Sequence, residues 1–271
     1  MDFLGYKNKR VIVSGCFSGM GEATARLLTE LGAEVHGLDF KPSSLNLASF
    51  TQLDLRDRDS IDSAVNGIGG KVDALFNCAG LPQTAPPMDV MKVNYIGTRH
   101  LTEQTLPLMS DGGAIVSISS TGGMGWSRRL SLLTELVDIV GYEQSLAWCD
   151  EHMETVAEGY SLSKEAVIVW TMRASAKLIK RGVRINCTLP APTQTPMMAE
   201  FESATRAEVI ETFTQPIGRR AMPAEQAGPL ICLNSDAAGF VNGVVLPVDG
   251  GFMGAVTTGQ ADLSALVPKM Q

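Results

Sequence analysis

Seven short apolar runs constrain this chain more than any other feature: VIVS, EVHGLD, FTQLD, ALFN, AIVSIS, VRINCTL and VVLPVD. Most of them lack the apolar–polar alternation of a strand with one wet face, so they read as strands buried on both faces. Between them, GEATARLLTELG, DSIDSAVNGIG, MDVMKVNYIGTRHLTEQTLPLM and YSLSKEAVIVWTMRASAKLIKRG carry apolar residues at helical spacing, two of them stopped by glycine. Strands covered on both sides and separated by helices form a parallel sheet. The pattern predicts an α/β, doubly wound domain with a seven-stranded parallel sheet, helices on both faces, and ligands at the carboxyl ends of the strands. No repeat, low-complexity tract or charged linker interrupts residues 1–271, so a single domain is expected.

Charge and cysteine usage narrow the function classes. The chain carries 29 acidic against 22 basic residues. Phosphate backbones and anionic lipids demand a basic face, so a small molecule is the expected partner, with no nucleic acid and no membrane. The five cysteines, Cys16, Cys78, Cys149, Cys187 and Cys232, show no metal-type spacing, and several lie in apolar runs typical of buried free thiols. A reducing cytoplasm fits them. MDFLGYKNKR lacks the apolar core of a signal peptide, and no later run is long enough to cross a bilayer. His36, His100 and His152 share no ligand spacing, so no metal site is expected.

The first strand runs into VIVSGCFSGMGEATARLL, where Gly15, Gly19 and Gly21 give G-x-x-x-G-x-G between strand and helix. Missing side chains there let backbone N–H groups and a helix N-terminus approach a pyrophosphate, the signature of a Rossmann-type dinucleotide site. Asp39 closes the second strand, where a carboxylate accepts from a ribose 2′-OH and repels a 2′-phosphate. That favours NAD; Lys41 nearby leaves room for NADP.

YSLSK places Tyr160 and Lys164 at i and i+4 on one helix face, so the ammonium can sit near the phenol and favour its ionised form. A phenol of depressed pKa can exchange a proton with an alcohol or carbonyl oxygen, and Ser120 offers a hydroxyl to hold that oxygen. Y-x-x-x-K alone is weak, because it also occurs on solvated helix faces.

These motifs occur in order along nearly the whole chain, and together they resemble the short-chain dehydrogenase/reductase family. SGCFSGMG is similar to its coenzyme glycine motif, FNCAG to its N-N-A-G segment, KVNYIGT to the helix with its active-site Asn, SISS to its serine strand and YSLSK to its Tyr and Lys. NCTLPAPTQTP is similar to the segment flanking the nicotinamide, and VNGVVLPVDGG to the closing strand. The resemblance implies a catalytic set of Asn94, Ser120, Tyr160 and Lys164, with Tyr as acid/base, Ser orienting the substrate oxygen, Lys lowering the Tyr pKa and holding the ribose, and Asn supporting a proton-relay water. It also implies NAD contacts from Gly15, Ser18, Gly19, Met20, Gly21, Asp39, Asp54, Leu55, Asn77, Ala79, Gly80, Tyr160, Lys164, Pro190, Thr193 and Thr195, and a homodimer or homotetramer.

Three departures from the family pattern stand out. Cys78 replaces the second Asn of N-N-A-G, and Ala191 replaces the Gly after Pro190, so that turn needs a φ that a Cβ tolerates. The third is length: about forty residues separate Ser120 from Tyr160, where the family places the Tyr soon after the Ser. Leu130, Leu133, Val137 and Val140, then Leu146, Met153 and Val156, recur at helical spacing, so residues 127–159 are expected to form a helical insertion with an acidic wet face. Its apolar stripes are expected to reach a neighbouring subunit through Leu130, Leu133, Val137 or Leu146. This pattern looks most like the branch containing bacterial 3α-hydroxysteroid dehydrogenase/carbonyl reductase and coniferyl-alcohol dehydrogenase. The branch implies an NAD(H)-dependent oxidoreductase for a bulky apolar alcohol or its carbonyl compound.

Trp126 is expected to line the substrate pocket, whereas Trp148 and Trp170 read as packing residues. Met197 and Met198 are expected on a mobile substrate lid. The alternatives are a coenzyme-binding regulator or scaffold without turnover, and a dehydratase or epimerase, for which little sequence remains to build a second domain.

Overall fold

Strands β1 (Arg10–Ser14), β2 (Glu34–Asp39), β3 (Ser49–Gln52), β4 (Val72–Asn77), β5 (Met109–Ile118), β6 (Arg184–Pro190) and β7 (Val245–Val248) pair entirely in parallel, in the order β3-β2-β1-β4-β5-β6-β7. The computed structural model describes residues 2–266. All seven expected strands are present, and the doubly wound architecture read from them holds.

Side-chain alternation divides the core between the two faces. Ile12, Leu75, Ile115 and Ile185 fall in register across β1, β4, β5 and β6 and join one buried cluster. Val13, Phe76 and Val116, one residue on, join the other. A strand with apolar residues at every position is what this two-sided burial requires.

The helices follow from the same pattern. Helix α1 (Gly19–Glu30) and, late in the chain, Pro223–Asn234 pack together over the second cluster. The first cluster is covered by α2 (Arg58–Ile68), α3 (Pro87–Met91), α4 (Thr98–Thr105), α5 (Leu130–Asp138), α6 (Tyr142–Glu151), α7 (Met153–Val156) and α8 (Gly159–Leu178). Then come α9 (Met198–Ala204), α10 (Ala207–Thr212), α11 (the Pro223–Asn234 helix) and α12 (Phe252–Thr257). Helices α3 and α4 are joined by a π-helical turn, Lys92–Gly97. Such turns recur at functional sites because the extra residue re-aims the side chains around it. No helix among the described residues is long and apolar enough to cross a membrane.

The long Ser120–Tyr160 segment is helical: a 3-10 stretch, Thr121–Arg129, leads into α5, α6 and α7. Its apolar face differs from the expected one. Leu133, Leu136, Val137 and Val156 are buried in the chain's own core, whereas Leu130 and Val140 are exposed and Leu146 is half-buried. Helix α5 packs on α8, so the stripe finds its partner inside the same chain and needs no neighbouring subunit. The expectation of an interface through Leu133 or Val137 is therefore corrected. The acidic face is wet yet tied down: Asp138 accepts from Arg173, Glu158 from Arg129, and Glu135 from Trp148 Nε1 at 2.7 Å. From the same segment, Tyr142 donates its hydroxyl to the Arg56 carbonyl at 2.6 Å, bracing the loop after β3.

This packing predicts that Leu133→Ala, which opens a cavity between α5 and α8, destabilises the protein by about 2–5 kcal/mol. Val140→Ser, at a position 77% exposed, should change stability by less than about 0.5 kcal/mol. Urea unfolding of the two variants checks both values.

Candidate active site

The strand order reverses between β1 and β4, and in open parallel sheets ligands bind outside the carboxyl ends of the strands at such a switch point. A cavity of about 280 Å³ lies there, walled by residues following β1, β4, β5 and β6, by α8 and by the α9–α10 segment.

The glycine turn is shaped by close approach. Gly15 has φ +75°, and a Cβ on it would lie 2.5 Å from the Ala79 backbone nitrogen; one on Gly21 would lie 2.1 Å from the Gly15 carbonyl oxygen. Only residues without a side chain let β1, α1 and the end of β4 meet in this way. Gly19, φ +63°, faces Thr195, whose Cγ2 would be 3.0 Å from a Cβ there. Ser18 precedes α1 in extended conformation and its hydroxyl makes no cap bond, so the first-turn N–H groups and that hydroxyl stay available to an anion. Met20, Cys78, Ala79, Gly80, Pro190, Ala191, Thr193 and Thr195 lie on the cavity wall. Asn8 is the sole non-glycine of positive φ among the described residues, so the turn at Ala191 accepts its Cβ without strain.

Around Asp39 the backbone closes on the carboxylate: Phe17 N–H donates to Oδ2 at 2.9 Å and Lys41 N–H to Oδ1 at 3.0 Å. The Lys41 ammonium lies 5.4 Å from the Phe17 ring centroid. Asp54 pairs with Arg56, 2.8 Å from Nη2 to Oδ2, and hydrogen bonds from that guanidinium hold its carboxyl below the usual range. Leu55 is buried. Neither Asp54 nor Leu55 borders the cavity. The Asn77 side chain does not reach it either, because its amide donates inward to Thr102 and Ser117 at 2.9 and 3.1 Å.

The structure separates the two adjacent serines. Both stand on the cavity wall, but the buried Ser119 donates its hydroxyl to the Lys164 carbonyl at 2.7 Å, while Ser120 accepts from Gly122 N–H at 3.0 Å. Tyr160 and Lys164, one turn apart on α8, share that wall, and the Lys164 Nζ donates to the Ile118 carbonyl at 3.0 Å. Asn94 is placed differently from the other three. Its side chain donates to the Leu81 carbonyl and Ser163 Oγ and accepts from Leu81 N–H at 2.7 Å, so it clamps the loop after β4 onto the π-helical turn and does not border the cavity.

Sequence reasoning missed much of the substrate end. Phe201 sits edge-on to the Tyr160 ring, 5.1 Å between centroids, and Val209, Ile210 and Phe213 continue the wall. Met197 and Met198 are on it too. The apolar spacing of FESATRAEVIETF was the available signal for the rest. Trp126 instead packs against the core beneath α8 and does not border the cavity, a correction that follows from the 3-10 path of residues 121–129. No group of three or more His, Cys, Asp or Glu side chains suited to a metal ion forms among the described residues.

Comparison with known proteins agrees with this geometry. Residues 9–131 match the family model described as short chain dehydrogenase, and residues 147–253 one described as enoyl-(acyl carrier protein) reductase. The chain is 38% identical to a coniferyl-alcohol dehydrogenase of Pseudomonas sp. over 90% of its own length and 96% of that protein's. The chain belongs to the short-chain dehydrogenase/reductase family. It is also 30% identical to a 3-alpha-hydroxysteroid dehydrogenase/carbonyl reductase of Comamonas testosteroni, covering 89% of this chain and 95% of that one. The crystal structure of a 3-alpha-hydroxysteroid dehydrogenase from Pseudomonas sp. B-0831 complexed with NADH superposes with a TM-score of 0.76 at 27% identity, covering 94% of this chain and all of that one.

In this short-chain dehydrogenase the electrostatics of α8 depart from the sequence expectation. Burial pushes the Tyr160 phenol above its ordinary value, with the Ser120 hydroxyl pulling the other way. The Lys164 ammonium does not reverse this: it is spent on the Ile118 carbonyl and lies 5.6 Å from the ring centroid, and burial lowers its own pKa to about 8. In the ligand-free protein, desolvation thus outweighs the attraction between the two groups, and the expected depression of the phenol pKa is corrected.

That burial makes Lys164 a destabilising group. Its pKa is lower folded than unfolded, so between pH 8 and about 10 the unfolded chain holds a proton that the folded one sheds, and stability rises with pH there. Below pH 8 the full penalty acts, on the order of 3 kcal/mol. Lys164→Met removes it and loses one hydrogen bond worth about 1 kcal/mol. The ligand-free variant should therefore melt at a higher temperature than the parent at pH 7, with the difference shrinking toward pH 10, as followed by calorimetry.

Proposed function

We propose that the protein is an NAD(H)-dependent oxidoreductase that interconverts a bulky apolar alcohol and its carbonyl compound, with Tyr160 as the acid/base. The observation that carries this reading is a half-buried phenol beside a serine hydroxyl on the wall of a cavity that is otherwise mostly apolar. The two relatives are named for activity on coniferyl alcohol and on 3-alpha-hydroxysteroids, both ring-bearing alcohols, which supports the same substrate class.

The glycine turn and the N-terminus of α1 fit a dinucleotide pyrophosphate, and Asp39 fits a ribose diol. NAD, when bound, supplies the hydride acceptor for oxidation and the hydride donor for reduction. The rest is done by the chain. Ser120 Oγ already accepts from Gly122 N–H, which leaves its own proton for the substrate oxygen. Tyr160 Oη takes the alcohol proton during oxidation and returns it during reduction. Lys164 is fixed by Ile118, within reach of Gly80 and the ribose side of the crevice. Asn94 acts as a positioning residue, holding the loop that carries Ala79 and Gly80 through Leu81. Phe201 and the methionines shed water from the reacting atoms.

The pH dependence follows from the raised phenol pKa. Oxidation needs the ionised phenol and reduction the neutral one, so kcat/KM for oxidation should climb through the alkaline range while that for reduction falls. Tyr160→Phe should lower turnover by about 100-fold or more, with the NADH dissociation constant, read by fluorescence, nearly unchanged. A variant that keeps most of its activity would remove Tyr160 from the mechanism.

Preference for NAD over NADP rests on Asp39, because Lys41 is drawn to the Phe17 ring and not freed toward a 2′-phosphate. Asp39→Ala should narrow the ratio of kcat/KM values between the two coenzymes. A parent enzyme that prefers NADPH would overturn the assignment.

A further inference from the structure

Beyond the catalytic end, the cavity carries one polar feature that the reaction does not use. Gln83, on the loop after β4, and Thr205, which closes α9, both border the cavity, and the Gln83 amide nitrogen donates to the Thr205 hydroxyl oxygen. The same wall carries a set of apolar side chains: Leu81, Met197, Met198, Phe201, Ile210 and Phe213. Thr205 lies four residues past Phe201, about 6 Å further along the helix axis, and Phe201 itself packs edge-on to the Tyr160 ring. The cavity wall thus carries a second polar pair set off from Tyr160 by Phe201 and about one helical turn of α9.

Resting on the oxidoreductase reading above, we propose that Gln83 and Thr205 form a specificity subsite for a neutral hydroxyl at the far end of the substrate from the reacting carbon. The hydrogen-bond arithmetic favours that group. With the Gln83 amide nitrogen bonded to Thr205, the Gln83 carbonyl oxygen is left as an acceptor and the Thr205 hydroxyl proton as a donor. A hydroxyl both donates and accepts, so it satisfies the two at once. A carboxylate cannot donate to the amide oxygen, and the cationic side chain on the wall, Lys164, stands at the opposite end. Glu200, one turn earlier on α9 and bonded to Thr84 at 3.0 Å, also disfavours an anion there. The substrate class is therefore a hydroxyaryl or hydroxylated cyclic alcohol. Because the pair sits at the cavity mouth, the preference it confers is moderate, about 10-fold.

The test compares 4-hydroxycinnamyl alcohol with cinnamyl alcohol, which differ by the distal hydroxyl alone. It measures kcat and KM for each with NAD, and the dissociation constant of each by calorimetry on Tyr160→Phe with NADH present, where no turnover intervenes. The parent should favour the hydroxylated alcohol about 10-fold, mainly in KM. The double variant Gln83→Leu/Thr205→Val should bring that ratio to about unity, and Thr205→Ser, which keeps the hydroxyl, should restore it. Equal binding of the two alcohols by the parent, a preference that survives the double variant, or no binding of either alcohol overturns the subsite. Failure of the oxidoreductase reading registers separately, as preferential binding of the hydroxylated alcohol without oxidation of either.

Discussion

Two reciprocal hydrogen bonds between β5 and α8 fix the reacting end of the site. The Lys164 ammonium donates to the Ile118 carbonyl at 3.0 Å, and Ser119 Oγ donates back to the Lys164 carbonyl at 2.7 Å. Both are buried, where an unmade bond is expensive. They set the height of α8 against the end of β5, so Ser120 and Tyr160 reach the same cavity although about forty residues separate them in the chain. The clamp also holds the Lys164 ammonium in place although burial disfavours its charge.

The segment between those two residues behaves as part of the core. Leu133, Leu136 and Val137 of α5 sit against α8, and Arg129 reaches the buried Glu165 carboxylate at 2.8 Å, beside Lys164 in the sequence. At its other margin, Tyr142 donates to the carbonyl of Arg56, the residue that pairs with Asp54. One segment thereby braces both the catalytic helix and the loop after β3. Shortening it would remove packing from α8 and the support of the loop after β3 together.

Polarity is distributed along the cavity with a purpose that burial makes effective. Ser120, Tyr160 and Lys164 share its wall with the apolar Met197, Met198 and Phe201 and with the hydrogen-bonded pair Gln83 and Thr205. A wall that is mostly apolar with a few polar groups is the usual make-up of a small-molecule pocket.

Much of this was written in the sequence. The uninterrupted apolar strands required a sheet covered on both faces, and the glycine spacing located its ligand edge, because backbone close approach tolerates no side chain and leaves a local signature. The assignment of Ser120 rested on the likeness of SISS to the family's serine strand. Three features had no such local signature. The buried face of α5 depended on which neighbour lay beneath it, and its period fitted a second subunit as well as α8. The direction of the Tyr160 shift depended on desolvation, a property of the packed surroundings that the i, i+4 spacing to Lys164 does not contain. Asn77 and Asn94 were legible as residues of the site, but only the packed chain turned their amides inward, onto Thr102 and Ser117 in one case and onto Leu81 and Ser163 in the other. Periodicity and backbone constraint are recorded in neighbouring residues. Burial and partner choice arise only when distant segments meet.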